Sequence, residues 1–258
     1  MQGMLQRDKP MDMEAYYHKL METTLAQFNG LNRTSQADDE RVTFSVGRVD
    51  SSVARGDILE KAATARIRFK TKNPQTGEDT HFDVFQIKIY PAHPKIPILL
   101  FNMENRKTKD DRFGGFLDVA PVATSKEDLN FLQDGIQTIA GRYKEDYEGL
   151  RKKVIGIYKR DHWESARNAG IGIRLELTKN QLDFVKEAGL TWVKLYFEIA
   201  KKRANGPYGK EEESLIHIVR SRLLEFYMLE DISFRIIQKL GVPLETMARI
   251  HFAPVIKY

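Results

Sequence analysis

The chain has 258 residues, 41% hydrophobic and 30% charged, enough apolar material for a globular protein with a sizeable core. It contains no cysteine, which excludes disulfides, thiolate nucleophiles and cysteine-ligated zinc or iron–sulfur centres and suits a reducing, cytoplasmic setting. A net charge of +5 favours anionic partners such as a polycarboxylate small molecule, but the cations are scattered among 36 acids, so no nucleic-acid surface is expected.

Residues 1–13 lack an apolar h-region, so no signal peptide is expected, and no apolar run reaches the length of a membrane span. Residues 14–29, EAYYHKLMETTLAQFN, carry apolar groups at helical spacing and run to Gly30 as a C-cap. The polar stretch 32–40 reads as loop, so residues 1–40 form an N-terminal helix and loop on one domain spanning 1–258. RVTFSVGRV (41–49) alternates as a strand, with Val42, Phe44 and Val46 on one face. ARGDILEKAATARIRFK (54–70) predicts a turn, a short helix or bulge, and another strand. NPQTGED (73–79) reads as the hairpin loop leading into the strand HFDVFQIKIY.

The stretch YPAHPKIPILLFN (90–102) then places three prolines in seven residues, a rigid corner that no central strand tolerates, before the short strand ILLFN. ENRKTKDDR reads as a polar turn and FGGFLDVAP (113–121) as a glycine-rich strand. From Ser125 the period changes to helical, with Ser125 and Asp128 as a capping box for one long or two successive helices. GIGIRLEL (170–177) alternates as a strand. The next segment is helical, capped by Thr178 or Asn180 and stopped at Gly206-Pro207. Beyond residue 210, β and helical readings compete. The ordering predicts an α+β fold: a large antiparallel sheet made first, with helices packed on it.

The six histidines show no mutual i, i+3 or i, i+4 spacing, so no metal site is expected; the nucleophile elbow, the dinucleotide fingerprint and the P-loop are absent. His93 sits in the proline corner, as a turn residue or a ligand contact. Asp118 is either a buried structural carboxylate or a ligand contact, and Gly114-Gly115 either a bulge or a close approach to a flat ligand. Arg220 and Arg222 share a face if VRSRLLEF is a strand, an arrangement suited to gripping carboxylates; as helix residues they would point to solvent. Arg174 and Glu176 share a strand face and can form an ion pair.

Taken in order, these segments resemble the oxygen-dependent coproporphyrinogen III oxidase family from about residue 51 to the C-terminus. ARGDILEKAATA is similar to its FEKAG segment, YPAHPKIPILLFN to HPHNPxxPTxHxN and FGGFLDVAP to FGGGxDLTP. NAGIGIRLEL is similar to RGIGGxFFDDL, LYFEIAKKRANGPYG to AYxxIxxxRxxxxYG, VRSRLLEF to RRGRYxEFN, and LETMARIHFAPVIKY to ESIxxxxPPxxxW. The resemblance implies a large antiparallel sheet with helices on both sides, commonly homodimeric. It also implies a cleft for a propionate-bearing tetrapyrrole, decarboxylated by molecular oxygen with no metal or organic cofactor.

On that resemblance Asn102, Asp118 and Glu176 are the catalytic candidates, and His93, Arg174, Arg220 and Arg222 the substrate-binding ones. Asn102, Asp118, Arg220, Arg222, Glu225 and Glu245 match the family pattern. Its histidine position holds Leu100, its aspartate pair falls near Leu177 and Thr178, and its arginine becomes Ala169, with Arg167 two residues earlier. The ferredoxin-dependent bilin reductases share this kind of sheet. On that alignment Asn102 takes the central proton-donor or ligand-contact position, Gln86 lies near a histidine position, and an acidic ferredoxin would dock on the basic surface. A tetrapyrrole carrier without chemistry is the remaining expectation.

Overall fold

The computed structural model describes residues 12–72, 77–107, 112–159 and 168–256. Helix α1 (Met13–Leu31) opens at Asp12, whose side chain accepts from Ala15 N. It closes at Asn32, two residues beyond the expected Gly30: Asn32 N and Nδ2 both donate to the Phe28 carbonyl. Six long strands follow as a meander: β1 (Ser35–Phe44), β2 (Gly47–Gly56), β3 (Leu59–Lys72), β4 (Asp79–Pro91), β5 (Ile98–Lys107) and β6 (Arg112–Ala120). The short strands β7 (Ile173–Arg174) and β8 (Leu177–Thr178) both pair with β6, completing an antiparallel eight-stranded sheet.

Five readings are corrected here. RVTFSVGRV is not one strand: β1 ends at Phe44, the chain turns through Ser45 and Val46, and β2 begins at Gly47. The polar stretch 32–40 is largely the edge strand β1, because an edge strand needs one ladder partner and no apolar face; the β2 ladder from Ser35↔Gly56 to Phe44↔Gly47 holds it. ENRK continues β5 rather than turning, and GIGIRLEL contributes only two two-residue pieces. Register runs unbroken through Gly114-Gly115, so there is no bulge. The register shift lies instead between Leu59 and Lys61, within the segment expected to turn or bulge.

After β6 come α2 (Lys126–Arg142), α3 (Tyr147–Ile155), α4 (Leu182–Arg203), α5 (Lys210–Glu225), a π-helical turn at Phe226–Glu230, α6 (Ile232–Lys239) and α7 (Leu244–His251). Ser125 caps α2 by accepting from Asp128 N, while α4 starts at Gln181 with no side-chain cap, neither Thr178 nor Asn180. The C-terminal region is thus helical throughout, and VRSRLLEF is a helix, not a strand.

The strand period of two splits β4 cleanly. Phe85, Ile87 and Ile89 face one side and pack with Tyr16 and Leu20 of α1, Ile136 of α2 and Trp192 and Tyr196 of α4. Val84 and Tyr90 face the other, beneath Leu223 of α5, Phe234 of α6 and Met247 and Ile250 of α7. Each fully buried Leu, Ile or Phe contributes roughly 1.5–3 kcal/mol. The result is a sheet with helices on both sides, and the polar residues Gln86 and Lys88 fall on the side roofed by the C-terminal helices.

Candidate functional site

Alternation and register assemble a row of polar residues on that roofed face. Gln86 lies opposite Asn102, Asn102 opposite Phe116, and Phe116 opposite Arg174, across β4, β5, β6 and β7. Together with Lys88, Tyr227 and His251 they border a partly open cavity of about 100 Å³ between the sheet and the C-terminal helices. Gly115 adjoins it with φ +106°, and a Cβ there would stand 2.2 Å from the Asn102 carbonyl oxygen, so only glycine lets β6 lie this close to β5.

Asn102 Nδ2 faces Glu104 Oε1 at 3.4 Å, which turns Oδ1 away as an acceptor. Asn102 Oδ1 and Gln86 Oε1 are both buried and accept no hydrogen bond from the described residues. Such buried acceptors cost about 1–3 kcal/mol each when unpaired, so the cavity is primed for donors. Lys88 is 2% exposed, its Nζ 5.5 Å from the ring centroids of Phe116 and Tyr227, and burial pulls its ammonium down to about 8. His251 Nδ1 donates to the Met247 carbonyl at 3.0 Å, leaving Nε2 as an acceptor; burial, then the Lys88 charge, lowers its pKa to about 3, so the ring is neutral.

The residues singled out from the sequence separate into three groups. Asn102 and Arg174 border the cavity; Arg174 Nε donates to Glu176 Oε1 at 3.0 Å, and Lys153 Nζ donates to Glu176 Oε2 at 3.1 Å, so Glu176 is an exposed ion-pair partner. Asp118 is fully buried and ties down the segment before β7. Its Oδ2 accepts from Asn168 Nδ2 and Gly170 N, the latter at 2.9 Å, and its Oδ1 from Gly172 N at 3.3 Å. Burial nonetheless pushes its carboxyl up to about 6.

His93 and Arg220 meet at the proline corner. His93 Nε2 donates to the Gly206 carbonyl at 2.8 Å while its Nδ1 accepts from Lys95 N at 3.2 Å, and Lys95 Nζ reaches the Pro207 carbonyl at 2.6 Å. Arg220 does not point to solvent: it is 1% exposed, donating to Glu60 Oε2 at 2.6 Å, the Pro91 carbonyl at 2.8 Å and the Val255 carbonyl at 2.9 Å. Arg222, two residues on along α5, is exposed, so the two arginines do not share a face. Arg220→Ala is therefore expected to destabilise by about 2–4 kcal/mol, through the lost buried packing and the lost donors to the Pro91 and Val255 carbonyls, and Arg222→Ala by less than about 0.5 kcal/mol. Urea unfolding of the two variants separates them; equal effects would contradict the assignment.

Leu100 is buried in the apolar packing beside the cavity, Leu177 is buried on the opposite face, and Thr178 is exposed. Arg167 lies outside the described residues. Lys88 and His251 were not anticipated. The alternation of FQIKIY places Lys88 with Gln86 opposite three apolar residues, a pattern compatible with a solvent face, and no local signal reports that distant helices cover it. Among the described residues no cluster of three or more His, Asp or Glu is arranged to hold a metal, and no helix is long and apolar enough to cross a membrane.

Comparison with known proteins agrees with this architecture. The solved phytochromobilin synthase from tomato, in complex with biliverdin, superposes with a TM-score of 0.61 at 13% identity over 90% of this chain and 80% of that one, a likeness of fold. The oxygen-dependent coproporphyrinogen-III oxidase of Coxiella burnetii is 24% identical over 225 residues, 83% of this chain and 71% of that protein. That of Drosophila melanogaster is 26% identical over 202 residues, 73% of this chain, and the match spans about half of the fly protein, 51%. The family model described as coproporphyrinogen III oxidase matches residues 9–241, the whole sheet and the helices up to α6. The chain belongs to the coproporphyrinogen III oxidase family.

Proposed function

We propose that the chain binds a propionate-bearing tetrapyrrole between the sheet and the C-terminal helices and acts on it as an oxidoreductase. The observation that carries this is the facing pair of unpaired amide oxygens, Gln86 Oε1 and Asn102 Oδ1. Pyrrole rings present N–H donors, and two adjacent buried acceptors match them. The cavity, about 100 Å³, has room for one side arm. Entry of a ring requires the roof to part from the sheet, and the π-helical turn Phe226–Glu230, which carries Phe226 and Tyr227 over the cavity, is the irregular point in that roof.

The names of the curated relatives support oxidation by molecular oxygen; on the family resemblance the chain carries it out without a metal or organic cofactor. In that reaction a propionate loses its carboxylate as CO₂ and a hydride equivalent from the neighbouring carbon, leaving a vinyl group. The hydride equivalent and one proton reduce O₂ to hydrogen peroxide. A second reading is two-electron reduction of a linear tetrapyrrole by an acidic donor protein such as ferredoxin. It is supported by the sheet shared with the tomato enzyme and by Leu177 and Thr178 standing where the family resemblance places a carboxylate pair.

Absorbance titration against porphyrins, haem and bilins tests the binding; no spectral change with any of them would overturn the proposal. Anaerobically prepared coproporphyrinogen, followed by air, tests the oxidase form. Vinyl product faster than the protein-free control supports it. Binding of biliverdin with turnover only on adding reduced ferredoxin would replace it with the reductase form.

A further inference from the structure

Among the described residues no carboxylate lies within ion-pairing distance of the buried Lys88 amine, and Asp231, which also borders the cavity, acts on it only through its field. The amine lies over two aromatic rings, and no carbonyl among the described residues pairs with it. Lys61, on the same face of β3, provides the contrast: it is equally buried, but its Nζ donates to the Phe252 carbonyl 2.5 Å away. A buried cation left unpaired costs stability that a well-packed apolar residue would not. The cavity that Lys88 borders is also lined by Tyr227, Ser233 and the neutral His251. Its volume of about 100 Å³ suits a short charged arm rather than a ring.

We infer that Lys88 is the counter-ion for a carboxylate arm of the bound molecule, held in the cavity under the Phe116 and Tyr227 rings. The identification of that arm as a propionate rests on the tetrapyrrole reading; its negative charge does not. A carboxylate here would convert a lone cation into a buried charge-assisted pair, and burial is where such pairs are strongest.

The pairing has a proton signature. Without ligand the Lys88 ammonium titrates at about 8, since burial lowers it more than the field of Asp231 raises it. Among the groups around it, burial raises the Tyr90, Tyr158 and Tyr227 hydroxyls far above the range pH 6–9 and lowers His251 to about 3, while Lys61, lowered by burial to about 7, titrates within that range in wild type and Lys88→Met alike. Glu104 and Arg174 complete the charged lining. A bound carboxylate favours the ammonium, so binding takes up a proton near pH 8 and none near pH 6, and affinity weakens as pH rises above 8.

The test uses protein labelled at lysine Cε, with Lys88→Met to assign the resonance. Millimolar propionate is expected to move the Lys88 midpoint upward by about one pH unit, and propionamide to leave it in place. Coproporphyrin should bind Lys88→Met about ten- to hundred-fold more weakly than wild type. In calorimetry in two buffers at pH 8, wild type should take up about half a proton and the variant none. If coproporphyrin binds both proteins equally and propionate leaves the midpoint unmoved, the inference is overturned while the tetrapyrrole reading stands. If propionate moves the midpoint but no tetrapyrrole binds, the carboxylate site stands and the tetrapyrrole reading falls.

Discussion

Lys88→Met is expected to make the protein more stable at pH 7, by on the order of 3 kcal/mol, as it abolishes carboxylate binding. The unfolded amine holds its proton up to about 10.5, whereas burial in the fold lowers that to about 8. Between these values the unfolded chain binds more protons than the folded one, so this group makes stability rise with pH from 8 towards 10.5. Below pH 8 the full penalty is present. Methionine fills nearly the same length without a charge and keeps contact with the Phe116 and Tyr227 rings. The gain should therefore be largest at pH 7 and shrink as pH approaches 10.5, a trend that urea melts at several pH values will show. A loss of stability at pH 7 would mean that Lys88 already has a partner in the folded protein.

Asp118 makes the opposite pH trend. Its carboxyl titrates at about 6 in the fold against 3.8 when free, because burial outweighs the three donors that hold it. The folded protein therefore binds the proton more tightly. The contribution of this group is fully present below about pH 4 and is lost as pH rises through 6, by on the order of 3 kcal/mol. Asp118→Asn keeps the shape without the titration. The stability difference between wild type and Asp118→Asn should thus fall between pH 4 and pH 7, and a difference flat across that range would contradict the buried-acid picture. Asp118→Ala leaves the amides of Gly170 and Gly172 without an acceptor and should cost about 3–5 kcal/mol. Faster hydrogen exchange at those two amides would localise the damage to the segment that leads into β7.

The sheet was readable from its sequence wherever one strand face is apolar throughout. HFDVFQIKIY and ILLFN declare themselves through Phe85, Ile87, Ile89, Leu99 and Phe101, all buried. β1 did not, because its strand character resides in a ladder with β2 and not in its own exposed, polar side chains. The roof helices failed for another reason. The inward stripe of α5 runs Ile216, Arg220, Leu223 and on to Tyr227, a helical spacing interrupted by a buried arginine that a hydrophobicity pattern counts as polar.

The same contrast applies to the candidate site. Asn102 is visible through the motif around the proline corner, whereas Lys88 acquires its character only when α6 and α7, more than a hundred residues later, close over it. His93 and Arg220 were conspicuous as chemistry but hold the corner to the α4–α5 connection and to α5 itself. Local sequence reports which residue types are present. It does not report which of them the distant chain will bury.

The outer strand bears on how copies of the molecule can meet. The midpoint of Ser35–Phe44 is Asp39 and Glu40, with Asp38 beside them. A twofold pairing of this edge with its equivalent in another copy, centred on that midpoint, would run antiparallel and set Asp39 against Glu40 but Asp38 against Arg41. Arg249 of α7 already pairs with Asp38 at 2.9 Å and Glu40 at 3.2 Å, so this margin is tied by charge to the helical roof, and a partner strand laid along it would have to compete with those ion pairs.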